Sequence, residues 1–167
     1  DIQQRKPLER EQQQKQFYDP VTEFYRLKYG LEAIRSDTRK HYGGALVLLE
    51  IREYSYINEQ YGLIFGDILL EQLAVLCKNS CQQAGFAKMI GIRAGASQLL
   101  LWIPACDVPC AQQLASQIQR QFTTLVRERY LALSLCFGVA AYDRQLSTNE
   151  GLSHIKAALL AARHHRE

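Results

Sequence analysis

An apolar run from Ala45 to Ile51, preceded by Gly43-Gly44 and ending in Glu50-Ile51-Arg52, constrains this chain more than any other feature. A strand that is apolar at consecutive positions is buried on both faces, so other layers must cover it on each side. Gly43-Gly44 reads as the chain break in front of it. The flanking segments supply the layers. Residues 22–40 read as a helix, with Phe24, Leu27, Leu31 and Ile34 at helical spacing and Thr22 as its cap. Asn58 to Gly62 reads as a turn or helix end. Residues 66–83 read as a helix carrying Ile68, Leu69, Leu73, Leu76 and Cys77 on one face. Met89–Arg93 and Leu99–Ile103 flank a small-residue turn, the pattern of a β-hairpin closed by Pro104. Residues 107–129 read as an amphipathic helix with Leu114, Ile118, Phe122 and Leu125 inward. Leu131 to Ala141 follows as a strand, and Asn149 to Arg163 as a closing helix. The order α-β-α-β-β-α-β-α predicts an α/β (α+β) sandwich, a central mixed sheet flanked by helices.

At 167 residues the chain is one domain by length, and 47% hydrophobic residues exclude disorder. No run of about 18 apolar residues exists, so no direct membrane insertion is expected. The net charge is +3, with Lys and Arg scattered among Asp and Glu, which argues against a nucleic-acid partner. Residues 1–18 are polar and read as the end of a linker helix from an upstream domain, leaving 19–167 as the domain proper. The N-terminus is charged and Gln-rich, has no apolar signal segment and does not begin with Met. Those features suggest a piece of a longer, cytoplasmic protein. The five cysteines, Cys77, Cys81, Cys106, Cys110 and Cys136, are an odd count that fits reduced thiols. A zinc site on the two C-x-x-x-C pairs is conceivable. Burial as small apolar side chains is the commoner fate of free cysteine.

Five segments, in order, carry a resemblance. Asp19-Pro20-Val21-Thr22 is similar to D-x-L-T. The stretch from Leu48-Leu49-Glu50-Ile51-Arg52 to Ile57-Asn58-Glu59-Gln60-Tyr61-Gly62 is similar to L-L-D-I-D-x-F-K-x-I-N-D-x-Y-G. Gly66-Asp67-Ile68-Leu69-Leu70 is similar to G-D-x-L-L. Arg93-Ala94-Gly95-Ala96-Ser97-Gln98-Leu99 falls where R-x-G-G-D-E-F belongs. Ser134-Leu135-Cys136-Phe137-Gly138-Val139-Ala140 is similar to an S-x-G-x-A strand. Together they resemble the GGDEF family of diguanylate cyclases over nearly the whole chain after residue 18. Gly43-Gly44 precedes the first strand and is not the signature pair. The resemblance implies a nucleotidyl-cyclase, palm-like fold with a mainly antiparallel sheet. It also implies a reaction in which two facing domains join two GTP molecules into cyclic di-GMP. Such phosphoryl transfer rests on positioning and on metal ions held by carboxylates.

This chain departs from the family where the metal is handled. Ser97 and Gln98 stand where the acidic pair belongs, and neither is anionic. Ala96 replaces the second glycine, and its methyl group is expected to crowd the backbone's approach to phosphate or to force another turn. Glu50 keeps the charge of the metal-binding Asp, one methylene longer, as a vestige of that site. Arg52 puts a cation where a second Asp belongs. Ser55 replaces a phosphate-holding lysine, and Leu63 replaces a histidine near the base pocket. Phe86-Ala87-Lys88-Met89 lacks the family's inhibitory R-x-x-D, which disfavours cyclic di-GMP binding there.

Other positions persist. By resemblance, Asn58 and Asp67 are the residues that read guanine, and Arg163 keeps a cation where a phosphate-binding lysine belongs. The plainer alternative is capping, of a turn by Asn58 and of a helix at residue 68 by Asp67. Tyr54, Tyr56 and Tyr61 cluster near the same place, and alternation along an extended segment would put Tyr54 and Tyr56 on one face. Trp102 reads as core. His154, His164, His165 and Glu167 suggest a metal, but read more simply as a polar helix end.

Three functions follow as expectations. The preferred one is a catalytically inactive GGDEF domain, with a signature degenerate at Gly95, Ala96, Ser97, Gln98 and Leu99. It would act in bacterial cyclic di-GMP signalling as a regulatory or protein-interaction module. Its partners would be another protein, a second copy of itself, or a neighbouring EAL or sensor domain. No cofactor is expected on this reading. The second is a GTP- or purine-binding allosteric domain, with Mg2+ only alongside GTP. The third is an active cyclase built on Glu50.

Overall fold

The structure is a computed structural model that describes residues 10, 12, 15–38, 43–129, 133–143 and 148–164. The apolar run forms the middle of β2 (Gly43–Arg52), antiparallel both to β4 (Gln98–Pro104) and to β5 (Ser134–Asp143). β3 (Ile90–Arg93) pairs antiparallel with β4, and the two-residue β1 (Tyr25–Arg26) adds to it in parallel. The five strands lie in the order β1-β3-β4-β2-β5, a mixed and mainly antiparallel sheet. The helices are α1 (Leu27–Thr38), α2 (Tyr54–Tyr61), α3 (Leu63–Gln83), α4 (Val108–Arg127) and α5 (Thr148–His164).

Alternation along β2 divides the core in two. Ala45, Val47, Leu49 and Ile51 face a cluster with α2, α3 and α4, where Leu69, Leu73, Cys77, Leu114, Ile118 and Phe122 are buried. Leu46 and Leu48 face the opposite cluster, with Ile34 of α1, Trp102 of β4, and Ile155 and Leu159 of α5. Each fully buried Leu or Ile contributes about 1.5–3 kcal/mol relative to exposure. The strand therefore holds both helix layers to the sheet.

Several sequence expectations are corrected. The first helix begins at Leu27, not at 22. Phe24 is buried, but ahead of β1, while Leu27 is 39% exposed. Thr22 belongs to a turn instead of a cap: its amide and hydroxyl both donate to Asp19 Oδ2 at 2.9 Å. Gly43-Gly44 does not break the chain but begins β2. The absence of a side chain lets strands close up there, since a Cβ at position 44 would lie 2.8 Å from Pro104 Cα. The segment after β2 is helical, so Tyr54 and Tyr56 do not share a face: Tyr54 is buried and Tyr56 is 57% exposed. Helix α3 starts at Leu63, because Gly62, at φ 90°, turns the chain between α2 and α3 without ending helical structure for long. Ile68 is 37% exposed and lies on the side of α3 turned away from the core face predicted for it, beside Ile64 and Val75. Trp102 lies within β4 and is fully buried as predicted. Most of the predicted linker helix over 1–18 lies outside the described residues, as do Leu131, His165 and Glu167. Residues 15–17 are helical.

One polar brace crosses the second cluster. Asp37 of α1, 3% exposed, accepts a hydrogen bond from Trp102 Nε1 at 2.8 Å and pairs with the Lys88 ammonium. Burial of that carboxylate is tolerable because both donors reach it. Packing is as tight on the β5 side. A Cβ at Gly138 would lie 2.5 Å from Leu159 N and 2.8 Å from Ala158 C of α5. Backbone cannot yield as a side-chain tip can. Gly138→Ala is therefore expected to cost about 1–3 kcal/mol, read as a lower urea midpoint at unchanged slope.

Candidate functional site

The β2–β4 register decides what meets at the end of the sheet. Glu50 lies directly opposite Gln98, and Ile51 N donates to Ser97 O at 3.0 Å. Gln98 Nε2 donates to Glu50 Oε2 at 2.6 Å. Two acidic side chains in these cross-strand positions would repel unless a cation lay between them. Here an amide and a carboxylate satisfy each other. Glu50 is the single carboxylate that β2 and the hairpin turn bring to this point. Magnesium wants several hard oxygen ligands in a tight octahedron. One carboxylate already engaged by an amide, with Arg52 two residues on, does not fit that demand.

The turn from Ala94 to Ser97 closes without any left-handed residue. Ala96 takes its place in that turn at an ordinary negative φ. Arg93 holds the loop from within. Its guanidinium donates to Gly95 O at 3.3 Å and to Ala96 O at 3.2 Å, and reaches Asp19 Oδ1 at 2.9 Å. Asp19 thus ties the signature hairpin to the turn ahead of β1. Burial pushes the Asp19 carboxyl up, but hydrogen bonds from Thr22 and Arg93, with the Arg93 charge, outweigh it and hold the carboxyl below its ordinary value of 3.8. A shallow cavity of about 370 Å³ opens beside this latch, lined by Arg26, Leu27 and Ala94–Ala96 among others.

A second group gathers on the other face of the sheet. Tyr54, at the start of α2, is buried, and burial raises its hydroxyl pKa. Asp67 and Asp19 lie near enough to raise it further, and Arg93 near enough to oppose them. Asn58 stands close enough to the Tyr54 hydroxyl to oppose that rise, while its Oδ1 is buried with no hydrogen-bond partner. The structure thus brings Asn58, Asp67, Arg93 and Asp19 together around Tyr54. Capping explains neither Asn58 nor Asp67. Asn58 sits inside α2, where its backbone carbonyl accepts from Gly62 N at 2.9 Å. Asp67 sits a full turn inside α3, whose N-cap is Gly62 with no side-chain cap bond.

The two sets do not share a face. Alternation puts Glu50 and Gln98 on the side of Leu48 and Leu100, with α1 and α5. Asn58 and Asp67 belong to the α2–α3 side. Ser55 and Leu63 are exposed, Leu63 at 71%. Arg163 falls within α5, and its side chain lies outside the described residues. His154 is an exposed residue of the same helix. The five cysteines form no disulfide: Cys77, Cys81, Cys106 and Cys136 are buried, and burial lifts the Cys81 thiol to about 11. Sequence reasoning gave no role to Tyr54 as a centre or to the Arg93–Asp19 latch. The Asp19-x-x-Thr22 spacing was an available sign, because Asp commonly accepts from the backbone a few residues on.

Comparison with known proteins gives one family. The family described as "Diguanylate cyclase, GGDEF domain" matches residues 16–167. The chain is 26% identical over 100 residues to "Uncharacterized protein YtrP" of Bacillus subtilis, covering 60% of this chain and 17% of that one. Among solved structures it is similar to the coiled coil and GGDEF domain of DgcB from Caulobacter crescentus in complex with c-di-GMP. That likeness has a TM-score of 0.79 at 14% identity, over 99% of this chain and 90% of the other. It is also similar to Vibrio cholerae LapD S helix-GGDEF-EAL bound to c-di-GMP, with a TM-score of 0.78 at 21% identity. There it covers 99% of this chain but 38% of the other. This chain thus spans under a fifth of YtrP and well under half of LapD.

The latch makes a pH prediction. Asp19 is a stronger acid folded than unfolded, so its contribution to stability is complete above its unfolded pKa near 3.8 and is lost as pH falls through the lower folded value. Asp19→Asn should flatten the acid limb of the thermal midpoint against pH. Arg93→Ala should do the same and cost about 1–3 kcal/mol at neutral pH.

Proposed function

This chain belongs to the GGDEF domain family, and we propose that within it the domain is catalytically inactive and serves regulation through protein contacts. The Glu50–Gln98 hydrogen bond carries the reading. At the point where the family resemblance requires two anionic ligands around a metal, one anion and one amide neutralise each other. A cyclase must place divalent cations on a triphosphate to offset charge in the transition state. A donor set with one carboxylate, flanked by Arg52, supplies too little negative charge to recruit them. The setting we propose is a larger cytoplasmic signalling protein concerned with cyclic di-GMP. The S helix-GGDEF-EAL arrangement of LapD supports a neighbouring domain as partner. Among the described residues, no helix is long and apolar enough to cross a membrane.

One observation favours the second reading, a retained site for GTP or another purine. Asn58 Oδ1 is a buried acceptor without a partner. A buried polar atom left unmatched costs about 1–3 kcal/mol, which a ligand donor would recover. Asp67 is close by and has no capping duty. Those two residues would read the base edge. The phosphates would then lie toward a hairpin that supplies no second carboxylate, so nucleotide would be held without turnover.

The purified protein incubated with GTP and Mg2+ is expected to yield no cyclic di-GMP by chromatography. Robust product that disappears in Glu50→Ala would overturn inactivity. Titration calorimetry with GTP, with and without Mg2+, tests the second reading. The expected result is binding that hardly depends on the metal and that Asp67→Ala weakens about tenfold or more. Silence at millimolar nucleotide removes the proposal.

A further inference from the structure

Helix α3 is apolar on two sides. Leu69, Leu70, Leu73, Ala74 and Cys77 face the core. Ile64, Ile68 and Val75 stand on the other side, 79%, 37% and 49% exposed. Its neighbour α4 is built differently, with an outer surface of Gln112, Gln113, Gln117 and Arg120. Exposed apolar side chains aligned along the outer side of a helix mark a surface that is normally covered.

The exposed side is also shaped. Ile64, Ile68, Glu71, Val75 and Lys78 follow one another at spacings of four, three, four and three, the seam of a helix that packs along another helix. The seam lies against the Pro20–Glu23 turn and forms a groove of about 260 Å³. Carboxylates edge it: Glu23 on the turn, Asp67 and Glu71 on α3. Glu23 is held at φ 61°, a strained conformation for a residue with a Cβ, by its amide's bond to Asp19 O at 2.8 Å. The one lysine lining the groove does not offset these anions along its length. Its ammonium turns to the Phe24 ring, 5.6 Å from the centroid.

We infer that this groove docks an amphipathic helix of a partner protein, with Leu or Ile residues against Ile64, Ile68 and Val75 and with Lys or Arg along the flank that meets Glu23, Asp67 and Glu71. The apolar seam supplies the buried area, and the carboxylates select the partner by charge. Glu71, a charge between the apolar positions Ile68 and Val75, sets the register by requiring a cation opposite it. The inference rests on the reading of this domain as a protein-interaction module and adds the place and the chemistry of the contact.

The probe is a pair of labelled, capped 18-residue helical peptides with Leu at the seam positions, one with Lys flanks and one with Glu flanks, read by fluorescence anisotropy against the whole chain. The Lys peptide is expected to saturate below about 100 µM. The Glu peptide should bind at least about tenfold more weakly. Ile64→Asp and, separately, Ile68→Ala should each weaken the Lys peptide about tenfold, and Ile64→Asp should leave the thermal midpoint unchanged because that side chain is 79% exposed. Glu71→Lys, the milder variant, should shift preference toward the Glu peptide. No saturation, equal affinity for both peptides, or indifference to the Ile changes would overturn the inference. A homodimer by sedimentation that the Ile changes dissolve would overturn it too, by assigning the groove to a second copy. Cyclic di-GMP formation from GTP, measured on the same preparation, would sink the inactive-domain reading and leave the peptide result to stand or fall separately.

Discussion

A strand buried on both faces has almost no freedom of register. β2 is such a strand, and a slip of one residue would exchange Val47 and Leu49 for Leu46 and Leu48 across the sheet, unseating both helix layers at once. Everything at the end of the sheet inherits that rigidity. Glu50 meets Gln98 because Leu48 meets Leu100 and Val47 meets Leu101. The chemistry of the pair is thus a consequence of core packing two and three residues away. Changing the side chains there changes the charge of the site without loosening the geometry that presents it.

The same rigidity explains how the turn closes with Ala96, Ser97 and Gln98 in it. Arg93 holds the hairpin from inside through the carbonyls of Gly95 and Ala96, and Asp19 holds Arg93. Neither contact depends on the side chains of residues 96 to 98. The frame that presents the turn is thus separable from the side chains the turn carries. On the α2–α3 side the balance differs. Tyr54, Asn58 and Asp67 still form one polar group in an apolar setting, with one acceptor unsatisfied.

What was legible in the sequence was whatever long-range packing and local pattern agreed upon. The β2 run, the hairpin, the closing helix and most of the inward faces of α3 and α4 announce themselves by period, but α4 buries Val126 where the spacing points to Leu125, and α3 turns Ile68 outward. Trp102 was legible as core because a large apolar ring has few other uses. The failures were local. Gly43-Gly44 looked like a break, because glycine marks turns more often than close strand contact, and only the neighbouring strands reveal which applies. Tyr54 and Tyr56 read as part of an extended segment, because a helix of eight residues between a left-handed Glu53 and Gly62 leaves a weak periodic signal. For the site, the substitutions at 97 and 98 were visible as letters. The bond between Glu50 and Gln98 was not, since it depends on register between strands far apart in sequence. The Arg93–Asp19 latch spans 74 positions and had no local sign on the Arg93 side.

Asp37 has an optical consequence. The chain contains a single tryptophan, and its indole N–H is tied to that carboxylate while its ring stands edge-on to Tyr142 at 5.5 Å. Those contacts join α1, β4 and β5 at one chromophore. Its emission therefore reports, without any label, whether α1 stays seated on the sheet. The groove along α3 lies across the sheet from it, so events there leave the signal unchanged unless they travel through the strands. An intrinsic fluorophore on one side of the sheet and a docking surface on the other make the domain its own gauge of whether binding is felt beyond the place where it occurs.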